Sequence, residues 1–114
     1  MIIKLKETNL TLIPVTKDYV EKKLQPLERF VKRYEKKGEI HMFVEIAKTT
    51  KHHQKGNIFY AEVTMELPKS IIRVEATNID VRAALNEVTD PLKRECQQYK
   101  EQYIMRKRKN VQKR

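Results

Sequence analysis

Phe59-Tyr60-Ala61-Glu62-Val63-Thr64-Met65-Glu66-Leu67, turned by Pro68-Lys69-Ser70 into Ile71-Ile72-Arg73-Val74-Glu75-Ala76-Thr77, is the stretch that decides the fold. Phe59, Ala61, Val63, Met65 and Leu67 hold one phase of a two-residue period, and Ile72, Val74 and Ala76 hold the matching phase after the turn. Such alternation marks half-buried strands, and the Pro-Lys-Ser link fits a tight hairpin. Upstream, Ile40, Met42, Val44 and Ile46 repeat the pattern, and Ile3 and Leu5 alternate with Lys4 and Lys6 over Ile2 to Glu7. The opposite phase holds Phe43, Tyr60, Thr64 and Arg73 with Glu45, Glu62, Glu66 and Glu75, so the outward face is expected to repel phosphate. Lys48 to Lys55, with His52 and His53, reads as a long basic hairpin loop.

Two other segments carry the helical period. Between Lys17 and about Lys36, Val20, Leu24, Leu27, Val31 and Tyr34 recur at spacings of four and three. Thr16 is the expected N-cap, Asp18 falls in the first turn where the dipole favours an anion, and Gly38 closes the helix. Pro26 removes a backbone hydrogen bond, so a kink or a division into two shorter pieces is expected. Asp80 caps a second helix whose stripe is Val81, Ala84, Leu85, Val88, Leu92, Cys96, Tyr99 and Tyr103, with a bend expected at Pro91. The order β-α-β-β-β-α predicts an α+β fold, a four-stranded sheet with two helices packed on one face. Its first two strands can pair in parallel through a right-handed crossover, and the rest form an antiparallel meander. One domain over 1–103 is expected, followed by a basic tail, 104–114, disordered when free.

Charge narrows the class of partner. The chain of 114 residues carries 25 Lys and Arg against 15 Asp and Glu, a net +10, for which nucleic acid or an anionic membrane is the default partner. The helices spend their apolar stripes on the core and keep no outward Trp or Phe anchors, which disfavours a membrane. No apolar run approaches the roughly 18 residues a span needs, and the start lacks a signal-peptide layout, so a cytoplasmic protein is expected. Cys96 is alone, which excludes an internal disulfide, and two glycines leave no phosphate-cradling loop.

The cations concentrate on the helices. Lys22, Lys23, Arg29, Lys32, Lys36, Arg82, Lys93, Arg94 and Lys100 lie between the apolar stripes, and Arg106, Lys107, Arg108 and Lys109 open the tail. On one helix they would form a solvated face paired at i, i+4 with Glu21, Glu28, Glu35, Asp90, Glu95 and Glu101. Two basic helices over one sheet face, with a basic tail, instead make a surface for double-stranded or folded RNA, which is read through shape, phosphate and 2′-OH.

Other constellations carry less. His41, His52 and His53 have no Cys or carboxylate partner to complete a ligand set, so no metal or cofactor is expected. Cys96 lies on an apolar stripe as a core residue, and Glu62 and Glu66 look like solvated sheet rather than an acid–base pair, so neither an enzyme nor a small-molecule substrate is supported. Single-stranded RNA stacked on the sheet would need a glycine-flanked aromatic pattern that is missing.

The ordered set Tyr60-Ala61-Glu62-Val63-Thr64-Met65-Glu66-Leu67-Pro68, Ile72-Arg73-Val74-Glu75-Ala76, Asp80-Val81-Arg82-Ala83-Ala84-Leu85 and Asp90-Pro91-Leu92-Lys93-Arg94-Glu95 resembles the ribosome hibernation-promoting factors, also called ribosome-associated inhibitors or sigma-54 modulation proteins. Val20-Glu21-Lys22-Lys23-Leu24 and Leu27-Glu28-Arg29-Phe30 agree, and the resemblance runs from Met1 to about Tyr103. It implies a stress factor, monomeric off the ribosome, whose basic helices bind small-subunit rRNA where mRNA and tRNA would lie, blocking initiation sterically. Lys23, Arg94 and Lys100 match the family's basic helix positions, while Pro91 and Gln98 replace its usual Lys and Arg82 its usual Tyr. The chain resembles the short members, which lack the second domain that dimerises ribosomes. A stand-alone double-stranded RNA module and a protein-binding modulator of transcription are the alternatives.

Overall fold

The computed structural model describes the backbone of residues 1–49 and 58–112 and their side chains except at 36, 37 and 104–112; His52 and His53 lie outside the described residues. Strand β1 (Ile2–Thr8) leads into α1 (Pro14–Leu24), a 3₁₀ turn (Gln25–Leu27), the short α2 (Glu28–Val31) and a second 3₁₀ segment (Lys32–Lys37). Strands β2 (His41–Thr49), β3 (Ile58–Leu67) and β4 (Ser70–Asn78) follow, and α3 (Val81–Gln112) ends the chain. The sheet order is β1-β2-β3-β4, with β1 parallel to β2 and both other pairs antiparallel. This is the expected α+β arrangement.

The alternating residues make one buried layer. Met42, Val44 and Ile46 of β2 and Ala61, Val63 and Met65 of β3 are at most 1 % exposed, covered by Val20, Leu24 and Val31 and by Leu85, Val88, Leu92 and Cys96 of α3. Each such Val, Leu, Ile or Met side chain contributes about 1.5–3 kcal/mol when fully buried. Cys96 sits 3.7 Å from Met65 Sδ, and burial pushes its thiol up to about 11, as suits a core residue. The two helix layers run in the same direction: Tyr19 of α1 bonds to Asn86 near the start of α3, while Tyr34 packs its edge on Tyr99 and Tyr103 further along. Tyr99 also donates to the Pro68 carbonyl at 2.9 Å, tying α3 to the β3–β4 turn.

The first helix starts earlier than its capping signal suggests. Ile13 is the extended N-cap (ψ 155), Pro14 follows at the first helical position, and the amides of Thr16 and Lys17 donate to the Ile13 carbonyl at 3.0 and 3.1 Å. Proline lacks an N–H that would be orphaned there and has its φ preset for a helix, so Pro14 opens the element; Thr16 caps nothing and Asp18 lies past the first turn. Pro26 divides the helix at the 3₁₀ turn, the two-piece outcome, whereas α3 runs through Pro91 without a break. The backbone of α3 also continues helical to Gln112, across the boundary at 103 that separates domain from tail in the sequence reading. Strand β2 runs to Thr49, with Lys48 paired to Phe59, so the hairpin loop begins later than Lys48. Asp80 caps α3 as expected, its carboxylate accepting from the Ala83 amide at 3.3 Å.

The outward sheet face is nearly neutral rather than acidic. Lys6, Glu45, Glu62 and Glu75 form one cross-strand row. Directly opposed like charges destabilise a sheet, and here neighbours neutralise them. Lys6 and Thr8 reach Glu45, and Arg73 lies 3.1 Å from Glu62 and 3.4 Å from Glu75. The Tyr60 hydroxyl donates to Glu62 and lies 2.6 Å from Glu75 Oε2. That bond, with Arg73 behind it, holds the Glu62 carboxyl below its ordinary range.

Two outcomes follow for stability. Gly38 closes the Lys32–Lys37 segment at φ 133 and ψ 168, a region open essentially to glycine alone. Gly38→Ala should therefore destabilise the fold by about 1–3 kcal/mol in urea denaturation, although nothing crowds the added methyl. A depressed carboxyl stabilises the folded state above its unfolded pKa and loses that contribution as pH falls through the folded value. In Tyr60→Phe the Glu62 titration followed by carboxyl NMR should move to higher pH, and acid unfolding should begin at higher pH.

Candidate nucleic-acid interface

The helix cations fall where amphipathic geometry puts them. Once Val20, Leu24, Leu27 and Val31 face the sheet, Lys22 and Lys23 in the last turn of α1, Arg29 in α2 and Lys32 just after it are left exposed. Arg82 is exposed in the first turn of α3, Lys93 and Arg94 are exposed about three turns further on, beyond Pro91, and Lys100 is half-buried. Lys36 and Arg106, Lys107, Arg108 and Lys109 have described backbone only, all of it helical.

The i, i+4 pairing that would make these residues an ordinary solvated face does not form. Among the described residues none of Lys22, Lys23, Arg29, Lys32, Arg82, Lys93, Arg94 or Lys100 makes an ion pair. Two of the candidate acids are engaged elsewhere: the Met1 ammonium lies 2.8 Å from Glu35 and 4.0 Å from Glu28. The Glu35 hydrogen bond raises the pKa of that ammonium. These helix cations are therefore left without ion-pair partners among the described residues, available to an anionic partner.

Tyr19 joins the two helices at the interface. Its ring lies 5.7 Å from Lys23 Nζ, four residues on along α1, and 4.8 Å from the Arg82 guanidinium of α3. Its hydroxyl donates to Asn86 Oδ1 at 2.9 Å, which fixes the ring between the helices. A cation over an aromatic face gains about 0.5–1 kcal/mol at an exposed site, enough to bias two flexible side chains toward one place. Lys23 and Arg82 are thus brought together, and near the other end the packing of Tyr34 on Tyr99 and Tyr103 sets the Lys32 turn beside the Lys100 turn. No ion pair or cation–ring contact joins Lys22, Lys93 or Arg94 to either cluster among the described residues.

Tyr19 and the exposed Arg33 are absent from the set of cations chosen by position. The i, i+4 relation of Tyr19 to Lys23 is visible in sequence, but its approach to Arg82 spans 63 residues of chain and depends on the helices lying side by side.

A family profile described as sigma 54 modulation protein / S30EA ribosomal protein matches residues 3–104. The chain belongs to this family of ribosome-associated proteins. Among solved structures, the N-terminal domain of Thermus thermophilus Protein Y is 31 % identical, with a TM-score of 0.69 over 87 % of this chain and 99 % of that one. A ribosomal subunit interface protein from Coxiella burnetii shares the fold at 20 % identity, TM-score 0.62, over 89 % of this chain and 99 % of that one. The matched span takes in the helix cations from Lys22 to Lys100 and stops before Arg106. Among the described residues no His, Cys, Asp and Glu group has metal-ligand spacing, and no helix is long and apolar enough to cross a membrane.

If Tyr19 orders the cluster, Tyr19→Leu should leave the helical circular dichroism unchanged. It should abolish the upfield ring-current shifts of the Lys23 and Arg82 methylenes in NMR spectra. Unchanged shifts would show that the ring does not hold them.

Proposed function

We propose that this protein silences translation by binding rRNA of the small ribosomal subunit in the channel of mRNA and tRNA, where its bulk excludes initiation. The observation that carries the reading is the layer of cations, free of ion pairs among the described residues, that forms when two codirectional helices commit their apolar stripes to one sheet face. Such a layer presents Arg and Lys heads over an extended, rigid surface, which suits the repeating phosphates of folded RNA. Membership in a family of ribosome-associated proteins supports the ribosome as partner, and with it a cytoplasmic binding protein rather than an enzyme.

On this reading Lys22, Lys23, Arg29, Lys32, Lys36, Arg82, Lys93, Arg94 and Lys100 neutralise phosphates, and Arg106, Lys107, Arg108 and Lys109 carry the basic surface along the end of α3. Arginine offers a planar fork for bidentate phosphate contact, so Arg82 and Arg94 set register while the lysines act as point charges. No bond is made or broken. Inhibition comes from occupancy, and the protein is a monomer when off the ribosome.

Cosedimentation with separated subunits tests this. The small subunit should retain the protein, bound mRNA and initiator tRNA should displace it, and a plain RNA duplex should compete poorly. With about six phosphates neutralised, log affinity should fall against log salt with a slope near about −5. Reversing charge at Arg94 and Lys100 together should weaken subunit binding at least about tenfold; unchanged binding, or equal affinity for a plain duplex, would overturn the reading.

A further inference from the structure

Strand β1 is the outer strand of the sheet, and among the described residues no strand pairs its other side. The Ile2 amide donates to the Ile40 carbonyl at 2.8 Å. In a parallel ladder alternate residues turn both backbone groups to the same neighbour, so Ile2, Lys4 and Lys6 face β2 while Ile3, Leu5 and Glu7 aim their N–H and C=O at the free edge. The same three residues border an open cleft of about 580 Å³ between β1 and α1.

This cleft is chemically distinct from the helix surface. Its floor is Ile3, Leu5 and Val20; Ile3 and Leu5 are only half-buried, whereas their β2 partners Met42 and Val44 are 0 and 1 % exposed. The helix layer stops short of the edge strand and leaves apolar surface open beside unpaired backbone. The rim is acidic. Lys17 is drawn to Glu7 at 3.4 Å, while Asp18 and Glu21, both exposed, make no ion pair among the described residues.

We propose that the free edge of β1 takes an extended, basic segment of a partner protein as a fifth strand. Added main chain would satisfy the groups of Ile3, Leu5 and Glu7, and one phase of its side chains would lie in the cleft. Lysine or arginine fits that phase, with an aliphatic stem on Ile3 and Leu5 and a cationic head at Asp18 and Glu21. The other phase passes Lys4 and Lys6 on the open face, which favours uncharged residues there. RNA is a poor occupant because the carboxylates oppose phosphate. The inference does not rest on the ribosome reading.

The test uses the full chain and a short fluorescein-labelled peptide alternating lysine and threonine, at about 0.15 M salt where screening leaves mainly local charge. We expect saturable binding, amide NMR shifts at Ile3, Leu5 and Glu7, and loss of binding when alternate peptide amides are N-methylated. The same peptide with glutamate for lysine should shift none of these amides. Asp18→Asn with Glu21→Gln should weaken the lysine peptide about three- to tenfold, as two exposed ion pairs allow. That variant should sediment with ribosomal subunits as the parent does, which separates failure here from failure there. No binding, indifference to N-methylation, or shifts confined to the helices would overturn the proposal.

Discussion

One-sided burial of a four-stranded sheet is the constraint from which the surface chemistry descends. A pleated sheet has two faces, and the helices of this chain cover one, so each strand residue is assigned to core or solvent by its parity alone. The helices are bound by the same requirement. Their apolar stripes meet the sheet and each other, which leaves most intervening Lys and Arg on the far side of the layer.

Local charge arrangements then differ by surface. On the sheet, Arg73 and Tyr60 satisfy glutamates that register forces into one row, leaving a face with little net field. On the helices the cations from Lys22 to Lys100 make no ion pairs among the described residues, and Glu28 and Glu35, two acids near Lys32 in the chain, lie by the Met1 ammonium. At the sheet edge, carboxylates of α1 stand over an apolar cleft. Three chemically different surfaces thus coexist on one small domain, and a strongly basic total charge describes only one of them.

Much of the fold was legible because its signals are short-range. The parity of Met42, Val44 and Ile46 and of Ala61, Val63 and Met65 marked the buried face, and Asp80 marked the start of α3. Thr16 misled because a good capping residue competed with Pro14, and a proline that orphans no N–H is the stronger start. The boundary at 103 rests on charge repulsion and the end of the apolar stripe, and the backbone of α3 is helical on both sides of it. The acidic reading of the sheet face counted glutamates without the cations that pairing set beside them.

Sequence alone determined which residues are inward, which segments are helical and how many cations the helices carry, since periodicity and composition are properties of neighbours along the chain. Tertiary structure decided which charges remain unpaired. The meeting of Tyr19 with Arg82, the capture of Glu35 by Met1 and the unpaired edge of β1 each depend on distances across the fold. Electrostatic and hydrogen-bond energies depend on those distances and on burial, which no spacing in the sequence encodes.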